Sequence, residues 1–166
     1  MPRFGNALSA QVILQADLSM TMDDPFQLER FVAVRELVFT TALSELRAGS
    51  KQTHWIWFIF QQLRALGRSP TAEFYGIASL EEARAYLDHP ILADRLAQVT
   101  DAVLAHHDQS AHEIFGSPDD LKFRSSMTLF DAASCHENAR FRDALGRYFG
   151  GESDECTLEL LRGQST

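Results

Sequence analysis

The sequence predicts an all-α, single-domain protein, and three observations carry that prediction. Apolar residues recur at helical spacing through most of the chain, and proline and glycine stand at helix starts and stops, not in paired turns. The third observation is an aromatic segment, His54-Trp55-Ile56-Trp57-Phe58-Ile59-Phe60, that is apolar almost all round and so reads as a buried helix. The architecture expected is a compact bundle of about six to eight helices around that aromatic helix. A chain of 166 residues buries roughly 70 % of its unfolded surface, enough to fold without a metal or disulfide.

The elements follow in order. Asp24 is the first N-cap, with Pro25 preset for the first helical position. Leu28, Phe31, Val32, Leu37, Val38, Leu43 and Leu46 then make one stripe, and Gly49 supplies the stop. The aromatic segment is expected to continue as helix through Gln61, Gln62, Leu63 and Arg64 to Leu66, closed by Gly67. A strand is its rival by periodicity, and the uninterrupted run favours the helix. Ser69-Pro70 opens a short helix through Tyr75, and Ser79 with Glu82 reads as a capping box for a helix through Leu87. Pro90 starts a helix through Leu92, Leu96, Val99, Val103 and Leu104. Ser117-Pro118-Asp119-Asp120 starts another, its acids placed where the helix dipole favours them, with Phe123, Met127 and Phe130 as apolar ridge. Two last helices cover about 138–149, with Gly150 after it, and about 154–161. Residues 1–23 lack a helical stripe and are expected to be an arm or tail ahead of one domain over 24–166.

Charge and cysteine usage narrow the function classes. A net charge of −8 offers no attraction to a polyanion, so nucleic acid is not an expected partner. No stretch approaches the roughly 20 apolar residues that span a bilayer, and the start lacks a signal-peptide core, so no membrane partner and a cytoplasmic location are expected. The two cysteines, Cys135 and Cys156, have no metal or dithiol spacing and read as free thiols. Dinucleotide, P-loop, nucleophile-elbow and zinc-protease motifs are absent, and no cofactor is expected. His106, His107 and His112 match no ligand template, so no metal is expected either.

The chemistry is expected at the edges of the two most aromatic segments. Lys51 and His54 stand at the start of the first, and His54 shares a helical face with Trp57 or Phe58 and Gln61. In the second, LKFRSSMTLF, Lys122 lies beside Ser125 and Ser126, and Arg124 beside Thr128. These are the only two lysines of the chain. The expectation is a pocket with aromatic walls and a few cationic and hydroxyl donors, suited to a flat, anionic small molecule. Its candidate residues are Lys51, His54, Trp55, Trp57, Gln62, Lys122, Arg124, Ser125, Ser126 and Arg35. The competing reading makes the aromatics core, His54 a cap, and Lys122 and Arg124 partners of Asp119 or Asp120. A Lys122-activated serine nucleophile is disfavoured, because no third group orients the base and helical serines commonly bond back to the preceding turn.

The runs DPFQLERFVAVRE, GSKQTHWIWFIF, YGIASLEEARAYLDHPILADRL, IFGSPDDLKFRSSMTLF and FRDALGRYFGGESDECTLELL together resemble, from about Asp24 to Leu161, the family catalogued as domain of unknown function 1810. The resemblance implies a compact, mainly helical domain, bacterial in most members, without an established activity. Some relatives carry the label calpastatin, but these motifs read as packed helices and not as the extended inhibitory segment that role needs. The family usually has Gln at Arg35, Tyr at Phe39 and Pro at Gln61. An added guanidinium at Arg35 suits an anion better than an amide does. The function expected is small-molecule binding, with or without turnover of a phosphorylated or nucleotide-like metabolite. The alternative is a non-catalytic protein-interaction module.

Overall fold

The structure, a computed structural model, describes residues 24–34, 36–135 and 137–164, and among them all regular elements are helical. The arm or tail expected over 1–23, and the candidate Arg35, lie outside the described residues. Ten α-helices are present there: α1 Glu29–Val32, α2 Glu36–Arg47, α3 Ile56–Ile59, α4 Pro70–Tyr75, α5 Leu80–Asp88, α6 Pro90–Leu104, α7 Ala111–Phe115, α8 Asp119–Ala133, α9 Ala139–Phe149 and α10 Glu155–Gln164. α8 packs against α5, α9, α7 and α10, while α6 packs against α2, α9 and α5.

Asp24 caps the first helix, accepting from Leu28 N at 2.7 Å and Glu29 N at 3.0 Å. The single long helix expected from Asp24 to Gly49 is instead two, broken after Val32. The Arg30 guanidinium holds α1 against residues 74–82. It donates to Phe74 O at 2.8 Å and Gly76 O at 3.2 Å, and pairs with Glu82 Oε1 at 2.8 Å. The break also reorients the stripe, so that Phe31 and Val34 are buried while Leu37 is 72 % exposed. Gly49 does end α2, at φ +74°, where a Cβ would collide with the Gln109 side chain.

The aromatic segment departs furthest from expectation. Helix is confined to one turn, α3, and Phe60 leaves it at φ −113°, ψ 85°. The chain then runs extended: Ile77 N donates to Gln62 O and Arg64 N to Ile77 O, both at 2.8 Å, making a parallel bridge between Leu63 and Ile77. A short 3₁₀ turn, Arg64–Leu66, follows. Trp55, Phe60 and Leu63 are all at most 2 % exposed, so the segment is buried as expected but without the helix. The helix at the centre is α8, buried at every position from Ser125 to Asp131. Phe123 on its inner face packs against Phe60 and Phe115 at 4.9 and 4.6 Å between ring centroids. Edge-on and offset ring pairs of this kind add about 0.5–1.5 kcal/mol each beyond area burial.

The remaining start signals act as expected. Ser69 accepts from Ala72 N, Ser79 from Glu82 N, and Asn138 from Arg140 N. The box at Ser79 is only half formed, because the Glu82 carboxylate turns to Ala78 N and Arg30 instead of back to Ser79. A complete capping box lies at Ser110 and Glu113, starting the unexpected α7. Asp154 caps α10 through Thr157 N at 3.0 Å.

Candidate functional site

The loop between α2 and α3 is organised by one carboxylate. Glu45, on α2, accepts from Gln52 N at 2.6 Å, Thr53 N at 3.0 Å, Thr53 Oγ1 at 2.7 Å and Trp55 Nε1 at 3.0 Å. Burial pushes the Glu45 carboxyl up, and these hydrogen bonds outweigh it, lowering its pKa from 4.5 to about 2. The loop is tied down at its other end by Lys51 N donating to Ile114 O at 2.7 Å. His54 is thereby held outward, exposed, between two anchored neighbours.

Lys51 turns inward. Its ammonium reaches Asp119 Oδ2 at 2.8 Å and Thr53 O at 2.6 Å, lies 5.0 Å from the Trp55 ring centroid, and its side chain is only 6 % exposed. Asp119 begins α8, where its carboxylate also complements the helix dipole. Lys122, one turn on, meets the other oxygen of Asp119 at 3.3 Å and remains 34 % exposed. Two ammonium groups therefore share one carboxylate. The buried one is consumed by it, and the exposed one keeps its charge toward solvent.

That charge faces a cavity of about 340 Å³ lined by His54, Trp57, Phe58, Ser69, Asp119 and Lys122. His54 and Lys122, distant in sequence, thus open into one cleft. A second hollow of about 220 Å³ adjoins it, lined by Leu37, Val38, Thr41, Thr53 and Trp55, and the two share His54 and Phe58. The cleft has a cationic lobe and a mostly apolar lobe, with the imidazole at their junction. It sits between the anchored 51–58 segment, the first turns of α4 and α8, and the start of α2.

The family described as Protein of unknown function (DUF1810) matches residues 25–161. The chain belongs to that family. Among solved structures, the conserved hypothetical protein Rv1873 from Mycobacterium tuberculosis is 51 % identical, with a TM-score of 0.81 over 84 % of this chain and 99 % of that one. No curated protein matches the chain.

Phe39 and Gln61 lie away from the cleft. Phe39 faces the core beneath the Arg95 guanidinium, at 5.6 Å, and Gln61 accepts from the buried Tyr86 hydroxyl at 2.7 Å. Burial raises the Tyr86 phenol well above its usual range, so it stays a donor.

The expected convergence of donors around LKFRSSMTLF does not occur. Lys122 points into the cleft, whereas Arg124 donates to Glu152 O and Ser153 O and covers the Phe149 ring, fastening the α9–α10 turn. Ser125 Oγ bonds to Leu121 O and Asp154 Oδ2, each at 3.1 Å. Ser126 is fully buried and Gln62 is 2 % exposed, and among the described residues neither the Ser126 hydroxyl nor Gln62 Nε2 has a hydrogen-bond partner. Lys122, Ser125 and Ser126 do share one side of α8, with Arg124 opposite, but Ser125 and Ser126 are buried under neighbouring elements while Lys122 reaches solvent, so the shared face does not become a shared site. Glu45, the residue that builds the loop, escaped the sequence reading because nothing local marks a helical glutamate as a hub.

A larger and more open depression of about 570 Å³ lies elsewhere, between α5 and the start of α9. Arg84 there is accompanied by Asp88 and Glu137, so it offers an anion no net attraction and no aromatic wall. Among the described residues no group of three or more His, Cys, Asp or Glu side chains is placed to hold a metal ion, and no helix is long and apolar enough to cross a membrane.

Proposed function

We propose that this protein binds a small anionic metabolite, phosphorylated or nucleotide-like, in the cleft between the 51–58 segment and the start of α8. The observation that carries the reading is the meeting of Lys122 and His54 in one cavity walled by Trp57 and Phe58. Ligand sites of this type are concave, aromatic-walled and supplied with a few oriented polar groups. Lys51 supports the site indirectly by neutralising Asp119, without which the carboxylate would repel the anion. Any turnover in this cleft would run through His54, an exposed imidazole whose ring makes no hydrogen bond to the described residues. A cytoplasmic location is supported by the two free, exposed cysteines.

Thermal unfolding against nucleotides, sugar phosphates, nicotinamide and ADP-ribose compounds, amino acids and divalent metals tests the proposal. A phosphorylated compound is expected to raise the midpoint, and Lys122→Ala is expected to abolish the rise while leaving the apo midpoint nearly unchanged. No rise with any compound would overturn it. Exposed Leu37, Phe74, Ile91 and Leu121 favour a second reading, a protein-docking surface. That reading gains if a protein partner is captured and Leu37→Asp or Leu121→Asp releases it.

A further inference from the structure

The cleft's charge inventory and its second lobe point to a narrower ligand class: a phosphomonoester, one phosphate on a flat apolar body. This inference rests on the binding function proposed above. A ligand's phosphate has one mobile ammonium to meet, Lys122, since the Lys51 ammonium is already committed to Asp119 Oδ2 and Thr53 O and its side chain is 6 % exposed. Beside Lys122, His54 is exposed, and the hydroxyl-bearing Ser69 and Thr71 line the same wall. One ammonium, one imidazole and two hydroxyls suffice for a single phosphate group. Asp119, which also lines this lobe, is already engaged by both ammonium groups, and among the described residues no further cation lines the lobe to meet a second phosphate.

The other lobe has the opposite character. Leu37, Val38, Trp55 and Phe58 form it, with Thr41 and Thr53 at its polar edge, and among the described residues no Lys, Arg, Asp or Glu lines it. Leu37 is 72 % exposed although its helix buries Ala42, Leu43 and Leu46, so its side chain is an uncovered wall of this lobe. A flat ring seated there would remove Leu37 and Phe58 surface from water while its phosphate reaches Lys122 past His54. The geometry therefore separates the two halves of the ligand between two sets of residues.

The test is a ladder of probes measured by calorimetry and thermal shift on the full chain: inorganic phosphate, 1-naphthol, phenyl phosphate, 1-naphthyl phosphate, AMP and ADP. Expected is binding of at least one aryl or nucleoside monophosphate at least tenfold tighter than either inorganic phosphate or 1-naphthol, with ADP no tighter than AMP. Lys122→Gln should reduce the monophosphate to the affinity of the uncharged body. Leu37→Asp, at an exposed position that the fold tolerates, should reduce it toward that of inorganic phosphate. A diphosphate at least tenfold tighter than its monophosphate overturns the single-phosphate assignment, and unchanged affinity in Leu37→Asp overturns the apolar subsite, while either result leaves anion binding standing. No heat and no shift with any probe in the wild type overturns this inference, and the wider anion-binding reading falls only if the full metabolite panel is silent too.

Discussion

At the scale of single residues, the two lysines look equivalent in sequence and differ in consequence. Lys51 is a buried partner of Asp119, and removing it leaves that carboxylate only the half-exposed Lys122 as counter-charge. Lys51→Ala should therefore cost about 2–4 kcal/mol. Lys122→Ala should cost under about 1 kcal/mol, because an exposed pair is screened and Asp119 keeps Lys51. Urea denaturation of both variants checks the contrast, and equal costs would mean that Lys122 is structural. Glu45 carries a pH signature. Its folded carboxyl titrates at about 2 against 4.5 unfolded, so the stability it contributes is complete above 4.5 and is lost as pH falls toward 2. Glu45→Gln should cost about 2 kcal/mol near neutral pH, the scale of hydrogen bonds to a charged acceptor. The gap between wild type and variant should narrow between about pH 6 and pH 3, since only the wild type has that carboxylate to protonate. Denaturant midpoints at the two pH values measure it.

At the scale of elements, α8 shows how burial on all sides sorts its hydroxyls. Ser125 and Thr128 share the capping of α10, with Thr128 Oγ1 accepting from Asp154 N at 2.8 Å. Ser126, between them, has no hydrogen-bond partner among the described residues. Thr128→Val should cost about 1–3 kcal/mol by orphaning the Asp154 N–H, whereas Ser126→Ala should be neutral or stabilising by up to about 1 kcal/mol, because an unsatisfied buried hydroxyl is removed. Thermal midpoints of the two variants decide between this account and one in which Ser126 serves a ligand. The aromatic element gives the complementary lesson. Gln61 and Gln62 are good helix formers, and no proline or glycine stands beside them, so the local signal for the end of α3 is absent. The chain leaves the helix there because Gln61 meets Tyr86 and Gln62 O bridges to Ile77.

At the scale of the whole molecule, α8 touches α3, α5, α7, α9 and α10, and α6 touches α1, α2, α5 and α9, so the core is shared by elements from both halves of the chain. Denaturant unfolding should accordingly show one cooperative transition, with near-UV aromatic and far-UV helical signals coincident. Two separated transitions would mean that α1 to α4 fold apart from the rest. Saturating ligand at 100 times its dissociation constant adds about 2.7 kcal/mol, which for a chain of this size moves the midpoint by about 5–10 °C.

The all-α class, the caps at Asp24, Ser69, Ser79 and Asn138 and the stop at Gly49 were readable in the sequence, because each depends on residues within one turn of one another. The sequence also drew attention to Lys51, His54, Trp55, Trp57 and Lys122, scarce charge beside rare aromatics, and the fold brings them near one another around Asp119 and Phe58. What only tertiary structure decided is where those side chains point. The break at α1, the single turn of α3, the transfer of the central position to α8, the hub at Glu45 and the dispersal of Arg124, Ser125 and Ser126 all depend on partners elsewhere in the chain. Periodicity records which residues seek burial; it does not record which neighbour covers them, and that pairing set both the path of the aromatic segment and the residues that share its cleft.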